Sequence, residues 1–532
     1  METIYFGGKI LTMEEDSEHV EAILVKNGYI IKTGTLKEIL DVAGKHAEKK
    51  NLNGTCLMPA FIDTHSHVVM NGQMSIFADL SECYNFDDIK RILKNYIKKK
   101  SITNKQIVIG FGYDHNFLEE EEHPNKSVLD EISNDIPIIV LHVSGHLACV
   151  NSAMLDLAGI NNMTPDPNGG KIGRIKGCCE PNGYLEEAAI MNVQQLISKR
   201  TKVKIRKLIE GMQQNYIENG VTTVQDGASN NMTLNLLRLA NRLGLLKVDV
   251  IAYPMLAGLE KDVSKKISKE YKRHLKIGGY KLILDGSPQG RSAWLSKPYL
   301  GEDKEYCGYQ WLPDDKVQQY ILKSINDNAQ ILAHCNGDAA SEQFLNAYDS
   351  ALKKSTNPNK YNLRPVMIHC QTVRNDQLDR MKLLNMIPSI FVGHVFYWGD
   401  VHLRNLGEKR GKRISPVKDA LDRNLVINFH QDTPVTKPSA LFSVWCAVNR
   451  ISRNGELIGE KQKIDVYEAL KAVTINAAYE YFEENFKGSI KEGKRADLVI
   501  LDTCPLDIDP IDIKKIKVLE TIKDGKTIFL RK

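Results

Sequence analysis

The stretch MPAFIDTHSH, residues 58–67, decides how the rest of the chain is read. A short apolar run breaks off into Asp63, His65 and His67. An apolar run of this length suits a buried strand of a parallel sheet, covered on both faces. Seven later runs have the same form: VTTVQD (221–226), VDVIAYP (248–254), YKLILDG (280–286), QILAHCNGD (330–338), PVMIHCQ (365–371), PSIFVGH (388–394) and LVINFHQD (425–432). Helical stretches such as TLNLLRLANRLG (233–244) and SEQFLNAYDSALKK (341–354) separate them. Eight strands alternating with helices predict an α/β protein with a (β/α)8 barrel over residues 58–486. The long gap after the first strand holds β and α segments of its own. An insertion at about 84–200, over the barrel mouth, is expected there.

Outward from this region both ends of the chain turn β-rich. TIYFGGKILTM and AILVKNGYIIKTG are punctuated at Gly7-Gly8 and Asn27-Gly28, and VLETIKDGKTIFLRK carries the hairpin signal Asp524-Gly525. Residues 1–57 and 487–532 are therefore expected to form one small β-sandwich domain from both termini. The GKT at 525–527 is not a phosphate loop, because Glu520 stands where its first glycine is required.

The chain of 532 residues is 42% apolar and 26% charged, the balance of an ordinary globular protein. Its 71 basic and 66 acidic residues give +5, too weak and too mixed a charge to imply nucleic acid or an anionic membrane as partner. No run approaches the roughly 20 apolar residues needed to span a bilayer. The N-terminal residues lack a basic segment followed by an apolar one, so no secretory signal is read. Ten cysteines without any CxxC spacing do not form a disulfide framework. A reduced, cytoplasmic protein acting on a small molecule is expected.

The strand ends carry the chemistry, since barrel sites lie at the carboxyl ends of the strands. His65 and His67 are two apart, so on a strand both imidazoles face one way and can reach one metal ion. A lone HxH is more often a hydrogen-bonded pair in a turn. His334, His369 and Asp432, at the ends of three other strands, shift the balance toward a metal. Nitrogen and carboxylate donors suit Zn2+, with Fe2+, Mn2+ and Ni2+ compatible. Lys281 lies inside YKLILDG, where a charged lysine is costly. A neutral amine there could add carbon dioxide to form a carbamate bridging two metals; a lysine at a strand start with its ammonium in solvent is the simpler reading. Asp226 and Asp285 receive no catalytic role.

The ordered set PAFIDTHSH, SGHLACVNSAML, GYLEEAA, GVTTVQD, KLILDGSPQGRSAW, HCNGDAA, QDTPV and TINAAYEYFEENFKGSIKEGKRADLVILD resembles the motif series of the metal-dependent amidohydrolase superfamily. More narrowly it is similar to the amidohydrolase-3, YtcJ-like branch, which includes N-substituted formamide deformylase. The resemblance implies a distorted TIM barrel with a terminal β-sandwich, and metal ligation by His65, His67, His334 and His369. It implies Asp432 as ligand and general base, raises the carboxylated Lys281 above its simpler reading, and makes a homodimer the usual expectation. It places His146 against substrate and Glu187 as a competing carboxylate near the metals. His394, Trp398 and Tyr113, the last where the family's GxxWD segment has tryptophan, are candidate pocket residues. For His394 and Trp398 a capped helix start with a packed aromatic is an equal alternative. Departures at Ile368-His369-Cys370, Gln431 and Tyr113 spare the ligands and leave the substrate open.

The expected activity is hydrolysis of a non-peptide C–N bond in an amide, N-substituted formamide or cyclic amide, with one or two zinc ions. Deamination or ester hydrolysis at the same site, and a non-catalytic scaffold that keeps the fold, are the alternatives.

Overall fold

The computed structural model describes residues 2–14, 20–143, 147–167, 170–190, 193, 196, 205–259, 262–301 and 305–532. The chain divides into two compact units, Met1–Val69 with Gln213–Lys532, and Met70–Met212.

In the first unit, nine parallel strands form two sheets. One contains Phe61–Ile62, Val221–Ser229, Asp249–Pro254 and Leu275–Ile277; the other contains Gly279–Ile283, Gln330–Cys335, Val366–His369, Ile387–Ile390 and Asn428–Phe429. Within each sheet, neighbours in space are neighbours in sequence. All of these strands are largely buried, as β/α crossovers demand of strands covered on both faces, and most are apolar. Only the single residue Gly278 separates Leu275–Ile277, a ninth strand outside the eight expected runs, from Gly279–Ile283, which holds the fourth run, so the chain passes directly from one sheet into the other. A Cβ on Gly278 would lie 2.6 Å from the Tyr253 hydroxyl, which is why the break is a glycine. Beyond the strand ends, Asp432 N donates to His65 O (3.1 Å) and His67 N to Thr433 O (2.8 Å), tying the last segment to the first.

Two strands differ from the expectation. MPAFIDTHSH is divided: Cys56–Pro59 pairs with Lys9–Ile10 and with Leu498–Leu501, and only Phe61–Ile62 joins the parallel sheet. His65 and His67 thus lie past the strand, not on it. The run 425–432 is strand only at Asn428–Phe429. In both places the backbone leaves the ladder to bond across the strand ends, a choice that apolar periodicity does not encode.

The termini build two further sheets. Glu2–Phe6, Ala22–Lys26, Tyr29–Gly34 and Glu48–Asn51 form one; the other joins Lys9–Ile10 and Cys56–Pro59 to Leu498–Leu501, Val518–Lys523 and Lys526–Leu530. Residues from both sheets, including Tyr5, Ile23, Leu57, Leu498 and Ile522, share one apolar cluster. Asn27-Gly28 and Asp524-Gly525 are two-residue hairpin turns with φ of 52°, 88°, 49° and 71°, the all-positive pattern that selects Asn/Asp followed by Gly. A buried ion network fastens this region to the parallel sheet: Asp249 meets Lys487 at 2.6 Å and Lys523 at 3.0 Å, Lys523 meets Asp497 at 2.9 Å, and Lys487 meets Glu483 at 2.9 Å.

The Met70–Met212 unit has a six-stranded mixed sheet in the order Gly170–Arg174, Pro181–Glu187, Leu147–Val150, Ile138–His142, Val108–Tyr113, Ala78–Asp79. Alternate residues of the central strands feed opposite faces: Val108, Ile138 and Val140 join one apolar cluster, Ile109 and Ile139 the other. Helix Phe86–Lys100, capped by Asn85, covers the first face with Ile89 and Leu93. All ten cysteines are free. No helix among the described residues is long and apolar enough to cross a membrane.

Candidate metal centre

His65, His67 and Asp432 converge at the carboxyl ends of the first and last parallel strands. Asp432 Oδ1 is 3.2 Å from His67 Nε2 and 3.6 Å from His65 Nε2. Lys281 Nζ lies 3.1 Å from His65 Nε2, so the lysine points into the same space. It is only 1% exposed, against the expectation of an ammonium in solvent. Burial brings its pKa down to about 7, with Asp432 opposing the shift.

A chain of imidazoles extends from this group. His369 Nε2 lies 3.0 Å from His334 Nδ1, and His430 Nε2 lies 3.1 Å from His369 Nδ1. Ring centroids of His65 are 5.6 Å from His369 and 5.3 Å from His430. Burial, then the lysine charge and the neighbouring imidazoles, hold His65 well below its usual pKa. Burial does the same to His369, with His334 and His430 adding to it, and takes His334 to about 4 and His430 to about 3. At neutral pH these rings are uncharged and keep a lone pair for a cation. Asp432 is pushed up by burial, but the close approach of His67 and the charges around it bring the carboxyl below its ordinary value.

The supports of these side chains are as specific as the chain itself. Gln225 Oε1 sits 2.7 Å from His65 Nδ1, and its amide donates to Thr64 O (2.6 Å) and to the Tyr481 hydroxyl (3.0 Å). This fixes the tautomer of His65 with Nε2 facing the cluster. A Cβ on Gly227 would stand 2.3 Å from His65 Cε1, so the glycine after Asp226 clears room for the ring. Ser389 Oγ is 2.9 Å from His430 Nδ1. His369 and Asp432 have φ of 77° and 54°, left-handed backbone at two side chains aimed into the site. Gln225→Leu should keep the fold and weaken metal affinity by about 10–100-fold. A competition titration with a chromogenic chelator checks this; unchanged affinity would remove Gln225 from the support of His65.

Asp226 and Asp285 serve the backbone. Asp226 accepts from Val69 N (3.2 Å) and Ser229 Oγ (2.5 Å). Asp285 accepts from the backbone N–H of Trp294 (3.0 Å), Asn336 (3.0 Å) and Gly337 (2.7 Å), holding the turn that follows the strand of His334. His394 and Trp398 are both buried in helix His394–Gly411, with ring centroids 4.5 Å apart. Phe391 stands between them and the cluster, 4.7 Å from His394 and 5.4 Å from His430 by ring centroids. His394 Nδ1 pairs with His402 Nε2 at 3.1 Å. Tyr113 belongs to the other unit, buried, its hydroxyl 3.0 Å from His123 Nδ1 and 3.3 Å from Cys149 Sγ. Glu187 ends the strand Pro181–Glu187 of that unit and is exposed there. His146 lies outside the described residues. Sequence reasoning gave no role to His430, although it precedes Asp432 by two positions, the same spacing as His65 and His67.

Imidazoles and a carboxylate gathered at the carboxyl ends of parallel strands define a metal-competent α/β protein. The chain belongs to the amidohydrolase family, whose model matches residues 50–529. It is 28% identical to the amidohydrolase YtcJ of Bacillus subtilis (strain 168), covering 99% of both chains. It is 25% identical to the N-substituted formamide deformylase of Arthrobacter pascens, covering 98% of this chain and 96% of the relative. Among solved structures, an uncharacterized metal-dependent hydrolase from Pyrococcus horikoshii OT3 superposes with a TM-score of 0.75 at 25% identity, covering 96% and 99% of the two chains.

Proposed function

We propose that the chain is a metal-dependent hydrolase that cleaves a non-peptide C–N bond in an amide, N-substituted formamide or cyclic amide. The observation that carries this reading is Asp432 Oδ1. It is buried and makes no hydrogen bond of good geometry, yet it faces two imidazole nitrogens at 3.2 and 3.6 Å. A buried carboxylate oxygen left without a donor is costly unless a cation completes it. The donor set fits such an ion: His65, His67 and Asp432 would hold it, with His334 and His369 the next nitrogen donors and zinc the cation of choice. The YtcJ and formamide deformylase relatives support the bond class, and the Pyrococcus hydrolase supports the metal.

A divalent cation held by these residues would supply Lewis acidity, enough to bring the pKa of water to about 7. Asp432 takes the proton from the attacking water and returns it to the leaving nitrogen. The neutral His334 and His369 stay available as donors because burial denies them a proton. Lys281, uncharged in part at neutral pH, adds carbon dioxide through Nζ; the new N–C bond forms as one proton leaves, giving a carbamate that faces His65. Protein exchanged into 13C-bicarbonate is expected to show a carbamate carbon resonance that Lys281→Met lacks; its absence from the unmodified protein would leave Lys281 a plain amine.

We also read the two parallel sheets as the halves of a distorted (β/α)8 barrel and the terminal sheets as a β-sandwich. The sequential strand order, the intervening helices and the bonds from the last segment to His65 and His67 support the barrel. The ten free thiols support a reducing, cytoplasmic setting.

The deciding experiment is a panel of formamides, N-acyl amines, hydantoin-like rings and lactams, assayed for released amine or carboxylate. Activity should vanish on chelation and return with zinc. Turnover confined to esters or to amino-substituted heterocycles would replace the bond class, and no metal-dependent turnover of any member would favour the scaffold.

A further inference from the structure

In the Met70–Met212 unit, strands Val108–Tyr113 and Ile138–His142 run parallel, and a register shift after Leu141 sets His142 opposite Tyr113. Immediately past Tyr113 the chain turns. Asp114 caps the short helix His115–Phe117, accepting from Asn116 N (3.0 Å) and Asn116 Nδ2 (2.8 Å), which fixes its carboxylate. Asp114 and His142 are 9% and 6% exposed. His115 Nδ1 is 3.3 Å from His142 Nε2, Asp114 Oδ1 is 3.4 Å from His142 Nε2, and Asp114 Oδ1 is 3.7 Å from His115 Nδ1.

These separations lie beyond the roughly 2.7–3.2 Å of good hydrogen bonds. A tetrahedral ion with bonds of about 2.0–2.1 Å holds its donors about 3.3–3.4 Å apart, the separation of His142 Nε2 from His115 Nδ1 and from Asp114 Oδ1, while the Asp114–His115 edge is longer at 3.7 Å. The histidine rings are themselves supported. His123 stacks on His115 with centroids 4.0 Å apart at 30°, and its Nδ1 meets the Tyr113 hydroxyl at 3.0 Å.

We propose that Asp114, His115 and His142 bind a second divalent transition-metal ion of the zinc class, within the Met70–Met212 unit and sharing no residue with the His65 cluster. Three protein donors leave a fourth position for water or a small anion. The ion cross-links the ends of two central strands to the turn that follows the first of them.

The test is a Co2+ titration of the full chain, read by the visible bands of bound cobalt and by elemental analysis after gel filtration. The His115→Gln, His142→Gln double variant is expected to bind one equivalent less than the unmodified protein. The His65 cluster is intact in every arm, so its own metal cancels in the difference. Equal stoichiometry in a double variant with unchanged circular dichroism overturns the proposal. Should the double variant fail to fold, His115→Cys decides: it is expected to add a thiolate-to-cobalt charge-transfer band absent from the unmodified chain. A folded His115→Cys protein without that band overturns the site equally.

Discussion

Asp432→Asn is expected to give a folded protein whose kcat falls by about 10²–10⁴-fold, the usual worth of a positioned acid–base group. The substitution isolates the proton chemistry better than most. Asp432 has φ of 54°, and asparagine is among the few residues that adopt left-handed backbone readily, so the turn survives. The backbone bond from residue 432 to His65 O does not involve the side chain and is kept. An amide oxygen at Oδ1 can still approach a cation, but it cannot take a proton from water at neutral pH. Steady-state turnover measured beside metal content separates the two roles. Metal retained with turnover lost is the expected pair; near-normal turnover would take the general base away from Asp432.

Asp249→Ala is expected to have the largest effect on stability, a loss of about 3–5 kcal/mol, because removing one partner strands buried charge. Asp249 is 1% exposed and faces Lys487 at 2.6 Å, Lys523 at 3.0 Å and His274 at 2.9 Å. Glu483 and Asp497 each retain one of the two lysines, but among the described residues no other carboxylate touches both. Asp249→Asn keeps an acceptor and should fall between the two. Urea denaturation at neutral pH measures the losses, and an unchanged midpoint for Asp249→Ala would show that the lysines are satisfied without it. The pH dependence has a definite sign. Burial raises the Asp249 carboxyl, but the Lys487 and Lys523 charges outweigh it and hold the pKa well below the ordinary value. The contribution is therefore complete above an unfolded pKa of about 3.9 and is lost as pH falls through the folded value. The gap between wild type and Asp249→Ala should stay level down to about pH 5 and narrow below about pH 4.

The sequence by itself determined the eight apolar runs, the helices between them, the two Asn/Asp-Gly hairpins and the polar residues at the run ends. Each is a local signal: a strand period, a turn that only certain residues tolerate, or a costly polar group beside an apolar run. It also singled out His65, His67 and Asp432, which the fold gathers within ligand distance. Only the tertiary structure decided the rest. It divides MPAFIDTHSH between two sheets, because the N-terminal half pairs with Leu498–Leu501, more than 400 residues later. Gln225 and Gly227 acquire meaning only once the second strand lies beside His65. His430 joins the imidazole chain because Ser389 orients it, and Lys281 loses its solvent because its strand continues, across Gly278, from a buried neighbour. Asp114, His115 and His142 are scattered polar residues in the sequence and become a donor set through one register shift between two strands. Contacts of this kind depend on pairing across long sequence separations, and no local pattern of residues carries that information.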